Sequence, residues 1–134
     1  MKDQNKDFYI TDLDALDKMY PNLTIPYIEV SGKGWFPILH ILFNYADEWN
    51  KTCPENKIDE KIEIQQIKEK YGSLRFYHFG GPNEFRGMVT MAEMMTAFMC
   101  EKCGSTKYIE ECSLEKCLHC KYNTVHGWGK GKDE

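Results

Sequence analysis

The sequence predicts an α+β domain, with helices packed on a small antiparallel hairpin or sheet and a zinc-ribbon-like module at its C-terminal end. Three observations carry this expectation. Residues 35–49 and 84–99 place apolar side chains at helical spacing, residues 62–79 combine β-branched and aromatic content around Tyr71-Gly72-Ser73, and two Cys-x2-Cys pairs occur at Cys100/Cys103 and Cys117/Cys120. At 134 residues a single globule buries about two-thirds of the surface its unfolded chain exposes, so a core needs no disulfide framework. Seven Phe, eight Tyr and three Trp argue against bulk disorder. We divide the chain into an α+β body over 1–99, a zinc-ribbon-like module over 100–122 continuous with it, and a flexible tail over 123–134.

Residues 1–10 read as a frayed start, after which Thr11-Asp12-Leu13-Asp14 opens a short helix whose acids suit the positive end of its dipole. Pro21 ends it. Residues 23–30 are extended in character, Pro26 placing them at an edge or strand start, and Ser31-Gly32-Lys33-Gly34 is a turn. A helix begins near Trp35 with Pro37 in its first turn, and its two adjacent apolar stripes imply cover on most sides. The remaining stripe of His40, Asn44, Asp47 and Glu48 is expected to face solvent. Residues 51–57 form a polar loop, and Ile58, Ile62, Ile64 and Ile67 lead into a hairpin whose return strand is residues 74–79, stopped by Gly80-Gly81-Pro82. Cross-strand electrostatics favour a three-residue loop that sets Glu69 opposite Arg75, over a two-residue Gly72-Ser73 loop that sets Lys70 there. A helix over 60–70 is the competing reading, given its Glu, Gln and Lys content. Asn83 is the expected cap of the 84–99 helix, whose five methionines read as core packing against the 35–49 helix more simply than as an adaptable surface.

Charge and hydropathy narrow the function. The net charge is −4, from 17 Lys and Arg against 21 Asp and Glu, so the chain lacks the basic excess of a dedicated nucleic-acid binder. No export signal or spanning stretch is visible, since the richest apolar run, residues 35–43, is short and interrupted by Pro37 and His40. The expectation is a cytosolic protein with no membrane partner, and six cysteines in a metal-like pattern suit a reducing compartment.

Zinc takes four tetrahedral soft or borderline ligands, and a C-x2-C turn presents two sulfurs on one side of a tight loop. Cys100, Cys103, Cys117 and Cys120 therefore form the expected metal set for one structural Zn2+, with Gly104 where such a turn calls for positive φ. Four thiolates leave no open coordination position, which assigns the metal to structure rather than catalysis. A redox dithiol pair is the competing reading. Zinc deaminases also use paired cysteines, but their His-x-Glu and Pro-Cys-x-x-Cys segments do not occur here. Cys53 and Cys112 read as thiols outside the site, and His119 as a neighbour of it. Four lysines and four glutamates cancel within 100–122, so four thiolates around one dication leave the module negative and poorly suited to phosphate.

Lys68, Glu69, Lys70, Arg75 and Tyr77 gather acid, base and phenol on one hairpin and form a candidate recognition surface; an ordinary solvated strand face is the simpler account. Gly-rich phosphate loops, nucleophile elbows and H-E-x-x-H patterns do not occur, and no catalytic residue is assigned.

The segments Gly34-Trp35-Phe36, Lys68-Glu69-Lys70-Tyr71-Gly72-Ser73-Leu74-Arg75-Phe76-Tyr77 and the Cys100-x2-Cys103 pair ending the second long helix make the chain similar to a family of small bacteriophage and bacterial proteins of uncharacterised function. The resemblance spans about residues 27–122 and is most specific in the K-E-K-F/Y-G-x-L-R-F-Y hairpin. Some relatives end in Cys-x2-His where this chain has Cys117-x2-Cys120. The resemblance implies a mobile-element setting but no established activity. The expected function is a non-enzymatic protein-binding modulator, including an inhibitor, of a host or defence component. A nucleic-acid-associated zinc-ribbon protein is the alternative, and a small hydrolase using Glu69, Arg75 and Tyr77 stands third.

Overall fold

Asp12 turns its carboxylate onto the amide of Asp14 (3.0 Å) and so starts helix α1, Leu13–Met19, which buries Leu16. The computed structural model describes residue 10 and residues 12–106. Beyond α1, Leu23 and Ile25 enter the core and strand β1 follows as Ile28–Glu29. Helix α2, Phe36–Thr52, carries Pro37 in its first turn, where a missing amide costs no helical bond. A 3-10 stretch, Glu55–Glu60, leads to β2, Glu63–Lys70, and β3, Ser73–Phe79; helix α3 is Asn83–Thr96.

The sheet has the order β1-β2-β3. The α+β class holds, but the sheet is mixed rather than antiparallel throughout: β1 runs parallel to β2, with Ile28 beside Ile67 and Glu29 beside Lys68. Parallel neighbours need a long crossover, and α2 supplies it. Ile64, Ile67, Leu74 and Phe76 face the helices, where Phe43 of α2 and Phe85 of α3 meet Phe76 at ring separations of 6.5 and 6.1 Å. The alternate residues form an outer face that no described helix covers. No described helix is long and apolar enough to cross a membrane.

The hairpin register differs from both sequence alternatives. Lys70 pairs with Ser73, Glu69 with Leu74 and Lys68 with Arg75, leaving Tyr71-Gly72 as the loop. Tyr71 (φ 56°) and Gly72 (φ 85°) are both left-handed, the two-residue geometry whose twist matches the flanking strands. Glu69 accepts from the Gly72 amide (2.7 Å) instead of facing Arg75. Turn geometry thus outweighs an exposed ion pair, whose worth is about 0–1 kcal/mol. A bulge between Ile64 and Gln66 restores the alternation of faces farther along.

Other expectations are corrected by burial. His40 is buried rather than solvated, its Nδ1 2.9 Å from the Tyr20 hydroxyl, because α1 and the chain following it close over this side of α2. Asp47 is buried too, accepting from the Asn22 amide (2.7 Å), whereas Asn44 and Glu48 are exposed as expected. Pro82, not Asn83, precedes the first helical residue of α3, and it has no side-chain cap. Thr96, Val89 and Ala92 make the buried stripe of α3 with Phe85; of the five methionines Met88 and Met99 pack partly buried against the core, while Met91, Met94 and Met95 are exposed, so the core expectation holds for two and fails for three. Ile58 lies exposed in the 3-10 stretch rather than in the strand, and residues 63–70 are strand, not helix.

Asn50 joins three segments. Its amide nitrogen donates to the carbonyls of Asn22 (3.0 Å) and Ile62 (2.9 Å), and its oxygen accepts from the Ile62 amide (2.7 Å). Asn50→Ala strands buried backbone groups and should cost about 2–4 kcal/mol in urea unfolding. His78 packs edge-on against Phe85 at 4.8 Å. Burial lowers its pKa below the ordinary value; Arg86 adds to this, and the Phe79 and Gly80 backbone and Glu93 only partly oppose it. The unfolded chain therefore takes up the proton first as pH falls. The stability contributed by the neutral ring is present above about pH 6.5 and lost as pH drops through the folded value. Thermal unfolding across that range should show a pH-dependent difference between the native chain and His78→Gln.

Candidate recognition face and cysteine knuckle

Strand alternation separates the five hairpin residues named from sequence. Lys68, Lys70, Arg75 and Tyr77 share the outer face, whereas Glu69 pairs with Leu74 on the inner face and folds onto the turn. The proposed hydrolytic trio of Glu69, Arg75 and Tyr77 thus does not converge. The Arg75 guanidinium donates to Ser73 Oγ (2.7 Å) and the Leu74 carbonyl (3.3 Å), and the Lys70 ammonium sits 5.5 Å from the Tyr71 ring.

Three outer-face residues were missed by sequence reading: Tyr27, 71% exposed, Phe79, 65% exposed, and Gln66, which lies between Tyr27 and the already named Tyr77. Period-two alternation from buried Leu74 and Phe76 was signal enough to place Phe79 outward. Nothing local placed Tyr27, whose position depends on the parallel pairing of β1.

The outer edge of β3 is occupied. The amides of Leu74 and Phe76 donate to Thr96 Oγ1 (2.9 Å) and Glu93 Oε2 (2.9 Å), two α3 side chains three residues apart and hence on one helix face.

Past α3 the chain turns through Cys100 and Cys103. The Lys102 amide points at Cys100 Sγ and the Ser105 amide at Cys103 Sγ, each at 3.4 Å. Gly104 has φ 80° as expected, and its amide donates to the Cys100 carbonyl (2.7 Å) while the Cys100 amide donates to Ser105 (2.9 Å). Among the described residues no disulfide joins Cys53, Cys100 and Cys103 to one another. Paired amide dipoles aimed at two sulfurs fit a turn that carries thiolate charge on a cation. Cys112, Cys117, His119 and Cys120 lie outside the described residues, as does the expected tail, and among the described residues no group of three or more His, Cys, Asp or Glu side chains gathers for a metal.

This knuckle is fastened to the start of α2. Buried Glu101 accepts from the Ser31 amide (3.0 Å) and hydroxyl (2.7 Å), its carbonyl accepts from the Gly34 amide (2.7 Å), and the Trp35 indole donates to the Met99 carbonyl (2.9 Å). No family model, curated protein or solved structure matches the chain.

A Cβ on Gly34 would overlap the Cys100 carbonyl and the Gly104 amide, both backbone groups that cannot swing aside. Gly34→Ala should therefore cost about 1–3 kcal/mol and raise hydrogen exchange at residues 100–104, read by mass spectrometry.

Proposed function

We propose that the chain is a small non-enzymatic zinc-binding protein that acts by occupancy: Cys100, Cys103, Cys117 and Cys120 hold one structural Zn2+, and the outer sheet face recognises a macromolecule. The observation that carries the recognition half is that face itself, where exposed aromatics and cations alternate outward from strands whose other side is packed. The metal half is supported by the two amide-to-sulfur contacts of the first knuckle and by the spacing of the second pair. On this reading zinc braces the α2 start through Glu101 and Trp35 and performs no chemistry. Its setting, following the family resemblance and the cysteine usage, is the cytoplasm, that of the host where the chain is phage-encoded, and the outcome of binding is modulation or inhibition of a host or defence component.

Metal analysis of the purified chain should find about one zinc per chain. Cys117→Ser should lower occupancy and raise exchange in residues 95–106 while the 62–79 hairpin stays largely protected, because the body has its own core. A folded, zinc-free chain with Cys100 and Cys103 oxidised would overturn the metal assignment.

A further inference from the structure

Resting on the reading of the outer sheet face as the recognition surface, we infer that its ligand is a single-stranded nucleic acid, its bases stacked on Tyr27, Tyr77 and Phe79 and its phosphates met by Lys68, Lys70 and Arg75. The pairing of β1 with β2 sets Glu29 beside Lys68 and so brings Tyr27 level with Gln66, which itself lies opposite Tyr77. Two rows cross the strands: Tyr27, Gln66, Tyr77, and next to it Glu29, Lys68, Arg75. Neighbouring strands are about 4.8 Å apart and same-face residues along a strand about 7 Å, so the three aromatics are spaced to receive separate, splayed bases rather than to stack on one another. Gln66 adds an amide between two rings, able to donate to or accept from a base edge.

The charge pattern selects the ligand class. Lys68 and Arg75 stand directly opposite each other, a like-charge arrangement that weakens an antiparallel pair. Among the described residues no carboxylate forms an ion pair with Lys68, Lys70 or Arg75. The acids of this face are Glu29, beside Lys68 on the β1 edge, and Glu63, beside Phe79, so Lys70 and Arg75 toward the turn stand farthest from them. A polyanion relieves that repulsion. Aromatics and arginine suit either a protein or a nucleic acid, but two of the three cations are lysines, which are depleted from protein–protein interfaces, and a sheet with interleaved aromatics and cations is a recurrent platform for single strands. Peptide addition to the β3 edge is disfavoured because Thr96 and Glu93 already hold the Leu74 and Phe76 amides.

The test uses the full-length, zinc-loaded protein and fluorescein-labelled DNA and RNA single strands of about 12 nucleotides, with the DNA duplex for comparison, read by fluorescence anisotropy. Single strands should bind in preference to duplex, and log K should fall with log salt with a slope of about −2, as expected for three cations on a flexible strand. Tyr77→Ala and Phe79→Ala, each checked for native thermal unfolding and zinc content, should weaken binding about 5- to 100-fold. Lys68→Ala with Arg75→Ala should flatten the salt slope, and Met91→Ala on α3 should change nothing. Failure of the native protein to bind any single strand overturns the ligand class, even where a protein partner is captured in a Tyr77-dependent manner; that result would leave the recognition face standing. Single-strand binding that survives in a folded Tyr27→Ala/Tyr77→Ala chain overturns the face itself. Equal affinity for duplex overturns base stacking.

Discussion

The carboxamide of Asn50 is the constraint on which the arrangement of the rest depends. Helix α2 is buried on most sides, so the loops that pass its C-terminal half cannot satisfy their backbone groups with water and must find partners on the helix. Asn50 supplies both a donor and an acceptor to Ile62, as a neighbouring strand would, and a donor to Asn22. Asp47 one turn earlier takes the Asn22 amide, and the Trp49 indole donates to the Glu60 carbonyl (2.8 Å). The start of β2 is thereby placed against α2, and with it the sheet.

From that placement the two sides of the sheet acquire different work. The inner side is held by Phe43, Phe76 and Phe85, with Tyr45 stacked on Phe85 at 5.5 Å. Helix α3 does more than cover this side, since Glu93 and Thr96 also close the β3 edge to further strands, a device that keeps a short sheet from pairing with other chains. Among the described residues the outer face is left accessible, with Tyr27, Tyr77 and Phe79 exposed on it.

At the opposite end of α2 the cysteine knuckle is bound to the body by backbone and buried carboxylate contacts rather than tethered by a linker. Gly34 allows the two backbones to meet, and Glu101 answers the Ser31 amide that would otherwise end a turn unpaired. The knuckle thereby braces the turn between β1 and α2, and β1 carries the strand position adjoining Tyr27.

The sequence by itself determined the α+β class, the α2 helix with Pro37 in its first turn, the existence of the hairpin and the Cys100-x2-Cys103 turn with Gly104 at positive φ, because each is set by local periodicity or local backbone sterics. It also named four of the outer-face residues, Lys68, Lys70, Arg75 and Tyr77. The register, the parallel β1 pairing, the burial of His40 and Asp47 and the exposure of Met91, Met94 and Met95 were decided only by tertiary structure. Each depends on which distant segment arrives as neighbour: Tyr20 makes a polar histidine a core residue, Asn22 does the same for Asp47, and Thr96, not a methionine, fills the position facing Leu74. Glu69 left the expected pairing with Arg75 because a twisted two-residue turn offered its carboxylate a backbone amide, and one exposed charge pair in water is too weak to hold a strand against that geometry.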